Sequence, residues 1–240
     1  MEQFEDRLEE YKQYILSHAK NNKHAIISQL LFNDNLISSP IENYVKKVKK
    51  FEGDSDFVII VLIRMMYLIR TNSLSDPEIK TQLDALLSEV NDALREFPFW
   101  PPNEIHKKKS TDDIVFWSEN HLFMTLGSYY LFRQHASRLV GDLSNNFEND
   151  LECKLLLKYL AIHCHESFRG VYEVNSHVYL PHSLSALWNL FDFAENPIVK
   201  SQAEEIIDNI LYQLMLGVDP VSGIGTFTGT TSNSFTLFLT

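Results

Sequence analysis

The chain has 240 residues, 45% of them hydrophobic, which is enough for a sizeable core, and 32 acidic against 21 basic residues give it a net charge of −11. That balance excludes a general phosphate-tracking surface for nucleic acid. The two cysteines, Cys153 and Cys164, stand eleven positions apart, which fits neither a disulfide framework nor the close pairs of zinc and redox motifs. In chain order, residues 1–20 hold Glu2, Glu5, Asp6, Glu9 and Glu10 without an apolar run, so they do not read as a secretory signal, and a cytoplasmic location is expected. Apolar periodicity predicts helices near 2–20, 24–35, 40–50, 55–71, 76–96, 119–138, 147–167, 178–194 and 197–216. Ser39-Pro40, Asp76-Pro77 and Asn196-Pro197 mark three of the starts, because the missing N–H of proline costs nothing in a first turn.

Within the first of these three helices, Tyr44, Val45, Val48 and Phe51 are expected to face inward. The intervening Lys46, Lys47, Lys49 and Lys50 then form a solvated face or meet an anionic partner. The most apolar window, Phe57 to Ile69, is interrupted by Arg64 and is shorter than the roughly 20 residues of a membrane span, so it reads as a helix buried on nearly all sides. Pro98, Pro101 and Pro102 surround Phe99 and Trp100 in a stretch that cannot be helical, and Lys107, Lys108 and Lys109 follow. Residues 97–111 thus separate N-terminal helices, 1–97, from a motif-bearing half, 112–216, of one helical domain. Residues 217–240 carry four glycines, many threonines and serines and only Asp219 as a charge. They end in the apolar, β-prone Phe235 to Thr240, the pattern of a truncated reading frame or a fragment of a longer protein. Eight glycines leave few sharp turns, so the expected class is all-α, built of antiparallel helical hairpins, an arrangement shared by toroids, solenoids and generic bundles.

Two stretches concentrate polar chemistry. Phe116-Trp117-Ser118-Glu119-Asn120-His121 leads into a helix carrying Leu122, Phe123, Leu126, Tyr129, Tyr130 and Phe132, which places Asn120 and His121 at a helix N-terminus, an end that favours anions. Ser118 is the expected N-cap, its hydroxyl accepting from a first-turn amide. The second stretch runs from Ser167 to Tyr179, with Arg169, Tyr172, Glu173, Asn175 and His177, and reads as a loop between two helical segments.

The Asn120-His121 pair at a helix start resembles the Asn-His element of the α/α-toroid polysaccharide lyases, the alginate lyase, chondroitin AC lyase and heparinase-like group. The passage through Leu187, Leu190, Asp192-Phe193-Ala194 and Pro197 into the helix of Ala203 and Asp208 resembles a toroid hairpin. In those lyases the pair faces an Arg and a Tyr about fifty positions later; here Arg169 follows His121 by 48 positions and Tyr179 by 58. The resemblance implies an incomplete α/α toroid and β-elimination on, or binding of, a uronate-containing polysaccharide. Asn120 would neutralise the substrate carboxylate, His121 or Tyr179 would take the α-proton, Tyr179 or Tyr172 would protonate the leaving oxygen, and Arg169 would hold a carboxylate bidentately. Trp117, Glu119, Tyr172, Glu173, Asn175 and His177 would line the substrate groove; neither cofactor nor metal is required, and neither nucleic acid nor membrane is an expected partner. Glu119 places a negative charge beside an anionic sugar, which Arg169 or a lysine must answer.

Each residue also has a plainer role. In it Asn120 and His121 cap a helix beside Ser118, Arg169 pairs with Glu166 or Glu173, Tyr172 and Tyr179 lie buried with satisfied hydroxyls, and Trp100, Trp117 and Trp188 belong to a core as readily as to a sugar platform. His163 and His165 point to opposite sides of a regular helix and cannot share a metal ion, while His177 with His182, joined by His121 and Glu173, would need a particular loop geometry. Convergence of Glu119 and Glu173 would favour a hydrolase over a lyase. The competing function class is a non-catalytic helical interaction module.

Overall fold

Proline and short polar side chains set the helix starts. In the computed structural model, residues 5–10, 13–14, 38–50, 55–71, 77–97, 99, 118–140, 147–166, 171–172, 176 and 179–216 are described. They form α1 (Ser38–Lys49), α2 (Asp56–Thr71), α3 (Pro77–Glu96), α4 (Glu119–Val140), a 3₁₀ turn (Phe147–Asn149), α5 (Leu151–Cys164), α6 (Leu180–Phe193) and α7 (Pro197–Leu216). Residues 5–10 and 13–14 are helical as well, and no strand occurs among the described residues, so the all-α class is correct. The helix expected at 24–35, most of 97–111 and the tail 217–240 lie outside them. Pro77 and Pro197 open their helices as expected, while α1 starts two residues before Pro40. Asn196 caps α7 by accepting the Ile198 N–H at 2.9 Å. The helix expected at 147–167 divides into the 3₁₀ turn and α5.

The chain divides into two compact units, Met1–Phe97 and Pro98–Thr240. In the first, α1, α2 and α3 each pack on the other two. Ile41, Val45 and Val48 give α1 its buried stripe, while Lys46, Lys49 and Lys50 are exposed and Lys47 is half-buried. In α2 the run Val58 to Ile63 is buried, as are Met65, Met66, Tyr67 and Ile69, so the expectation of a helix covered on nearly all sides holds. Ser55 leads into α2, its carbonyl accepting the Val58 and Ile59 amides at 3.0 and 2.9 Å.

In the second unit, α4 neighbours α5 and α6, and α7 neighbours the same two. Directions follow from the contacts. Glu119 at the start of α4 meets His163 near the end of α5, and Arg133 later in α4 meets Asp150 just before α5, so this pair is antiparallel. Gly127 lies against Leu190, and Gln134 reaches Phe193 and Glu195, so α4 and α6 run in the same direction. Asn196, just before α7, bonds Glu148 ahead of α5, and Cys164 reaches the Gln202 carbonyl, so α5 and α7 also run together. These are two stacked antiparallel hairpins with like helices side by side. An up-and-down bundle, in which every neighbour runs opposite, has a different packing.

Candidate functional site

The end of the second unit where α4 begins is built around a buried carboxylate. α4 has polar residues on its buried surface along its length: Glu119, Asn120, His121, Thr125, Ser128, Gln134 and His135. Polar groups out of water persist when they find partners, and Glu119 finds two at one oxygen. Its Oε1 lies 3.0 Å from His163 Nε2 and accepts the backbone N–H of Tyr172 at 2.8 Å. The acidic side chain and the imidazole are both almost wholly withdrawn from solvent.

Proton placement at this pair follows from the acceptors. His163 Nδ1 is 2.8 Å from the Tyr159 carbonyl oxygen, which can only accept, so Nδ1 carries a hydrogen. Nε2 then shares one further proton with Glu119 Oε1. Around the imidazole stand Phe123, Tyr159 and Tyr172, with ring centroids at 5.0, 4.4 and 6.1 Å. The Tyr159 hydroxyl also points to the Glu119 carbonyl oxygen, at 3.5 Å.

Beside the pair, Asn120 is 1% exposed. Its Oδ1 accepts from the Ser118 hydroxyl at 2.5 Å, and its Nδ2 finds no acceptor among the described residues. Ser118 stands at the expected N-cap position, its carbonyl accepting the Leu122 N–H at 3.0 Å, and its hydroxyl donates to Asn120. His121 is buried too, and its carbonyl accepts from Thr125 Oγ1 at 2.7 Å.

From the second motif, Tyr172 and Tyr179 are described. Both rings are exposed, at 69% and 45%, which removes the plainer reading of buried phenols. Tyr179 stands at the N-cap of α6, its carbonyl accepting from the amides of His182 and Ser183 at 2.9 and 3.2 Å. Trp117, Arg169, Glu173, Asn175 and His177 lie outside the described residues. The contact from Tyr172 to Glu119 brings the start of the first motif and the middle of the second together. Glu119, expected to line the groove, is engaged by protein donors from two other segments. Trp188 is partly exposed and its ring meets Phe191 edge-on at 5.5 Å.

His163 is the member that sequence reasoning did not place in the site. Its signal is present: Cys153, Leu156, Leu160 and His163 form one buried stripe along α5, so the imidazole had to be buried and had to find partners. No group of three or more His, Cys, Asp or Glu that could hold a metal ion occurs among the described residues. Neither cysteine is an activated nucleophile, since burial, foremost among the causes, pushes both thiols up to about 12. No described helix is long and apolar enough to cross a membrane. No family model, curated protein or solved structure matches the chain.

Proposed function

We propose that the second unit is a carbohydrate-active, lyase-like helical domain, part of an incomplete α/α toroid, whose working face is the end where α4 begins and which acts on or binds an acidic polysaccharide. The observation that carries the reading is the hydrogen bond from the Tyr172 N–H to Glu119 Oε1. It joins Tyr172 of the second motif to the helix start holding Asn120 and His121. Stacked hairpins with like helices side by side are the repeating unit such a toroid needs, which supports the architecture.

The chemistry asks for little beyond these groups. A proton next to a carboxylate leaves only when that carboxylate is neutralised, and the unused Nδ2 of Asn120 is a donor for it. His121 or an exposed tyrosine, Tyr172 or Tyr179, then takes the α-proton. The C–O bond to the leaving sugar breaks as the carbon–carbon double bond forms, and a tyrosine returns a proton to the leaving oxygen. Arg169 supplies the counter-charge for the substrate and for a tyrosinate.

Absorbance near 232 nm, where the unsaturated sugar product absorbs, tests the reaction with alginates, heparinoids and chondroitins, using wild type, Asn120→Ala and His121→Ala. The expected result is a rise with one polymer class that both variants abolish. A second reading has its own observation: Asn120 and His121 are buried, and Glu119 is spent on protein partners, as in a non-catalytic interaction module. Folded wild type that neither produces the absorbance nor retains any of the polymers on affinity electrophoresis would establish that reading instead.

A further inference from the structure

We propose that Glu119 and His163 are positioning residues, a clasp that docks the α5–α6 connection through the Tyr172 backbone, and that neither touches substrate. Buried His163 is held from both sides: Nδ1 by the Tyr159 carbonyl one turn back in its own helix, Nε2 by Glu119. That leaves the imidazole no rotational freedom and aims its hydrogen at one carboxylate oxygen. The same oxygen takes the Tyr172 N–H. The start of α4 thus meets the last turn of α5 and the connection after it at a single atom.

Tyr172 is largely exposed, its ring meeting that of His163 edge-on at 6.1 Å, whereas Val171 before it is buried. Among the described residues, the buried Val171 side chain, the Tyr172 ring edge and the Tyr172 backbone amide all bear on the docking. The hydrogen bond itself runs through the backbone, so it depends on the acceptor at 119 whatever side chain residue 172 carries. A clasp of this kind sets where Tyr172 sits relative to Asn120. That role in polysaccharide recognition rests on the function proposed above, whereas the docking itself does not.

Hydrogen exchange of the full chain, resolved at the Tyr172 amide and at amides within α4 and α6, separates docking from general stability. In Glu119→Ala the Tyr172 amide is expected to accelerate by roughly tenfold or more beyond any acceleration shared by the helices, the scale set by losing one hydrogen bond to a charged group. Glu119→Gln keeps a side-chain oxygen for that amide and is expected to return it to within about threefold of wild type on the same comparison. Equal acceleration of Tyr172 and the helix amides, or no rescue by glutamine, would overturn the clasp. Polymer retention is read on the same proteins: loss in Glu119→Ala with recovery in Glu119→Gln supports positioning, and retention unchanged in Glu119→Ala overturns it. Wild type that retains no polymer refutes the proposed function alone, and the exchange result still decides the docking.

Discussion

At the scale of single residues, the second unit holds the Glu119 and His163 pair almost wholly out of water. Removing one member of a buried pair leaves the other as an uncompensated polar or charged group, which costs about 3–5 kcal/mol, whereas replacing both by apolar groups of similar volume is far cheaper. Glu119→Leu and His163→Phe should therefore each lower the stability of the second unit by that amount in urea titrations. The double variant should lose less than the sum of the two, with a coupling of about 1–3 kcal/mol. Additive losses would show that the two side chains do not interact. Sequence alone placed Asn120 and His121 at a helix start, where α4 begins, whereas it offered His163 only as a metal ligand, although that residue lies on the buried stripe of α5. It could not pair Glu119 with His163, because periodicity reports which face of one helix is covered and says nothing about which residue, 44 positions away, covers it.

At the scale of elements, the register of the two hairpins depends on a small number of cross-helix contacts. Gln134 is 1% exposed and bonds at both ends of its amide: Nε2 donates to the Phe193 carbonyl at 2.9 Å and Oε1 accepts the Glu195 N–H at 2.8 Å. It thereby satisfies a carbonyl at the end of α6 and an amide of the three-residue link to α7, groups a helix end leaves open. Gln134→Leu keeps the volume and orphans both, an expected loss of about 2–4 kcal/mol measured by urea denaturation. Gly127 behaves oppositely. A Cβ built there meets Leu190 Cδ1 at 3.4 Å, an ordinary contact with a side chain that can adjust, so Gly127→Ala should gain up to about 1 kcal/mol from helix propensity and raise the melting temperature. A fall in melting temperature would mean that α4 and α6 approach each other more rigidly than that contact implies. The helices themselves were legible because proline starts and apolar spacing are local signals; the parallel neighbouring of α4 and α6 was not, since like apolar stripes also suit an up-and-down bundle.

At the scale of the whole molecule, an acidic chain should lose stability first on the alkaline side, through groups that fold in their protonated form. Burial pushes the Cys153 thiol up to about 12 from its usual 9.0, with the Asp150 carboxylate adding to the effect, and burial likewise raises Tyr129 above 10.0, helped by Glu152 and Asp150. The Cys164 thiol is also pushed up to about 12, by burial and then by Glu205. In each case the unfolded chain releases its proton at a lower pH than the folded one. The stability these groups contribute is therefore fully present below about pH 9 and is lost as pH rises toward the folded values, because the unfolded state then binds fewer protons. Urea midpoints of the wild type should fall between pH 9 and 11, in parallel with a loss of protection of both thiols against iodoacetamide. A Cys153→Val, Cys164→Ser variant should show a shallower fall over the same range, retaining only the part due to Tyr129 and its neighbours. Identical slopes in the two proteins would assign the alkaline loss to the net charge of −11 acting on the chain as a whole, since self-repulsion grows with every proton released.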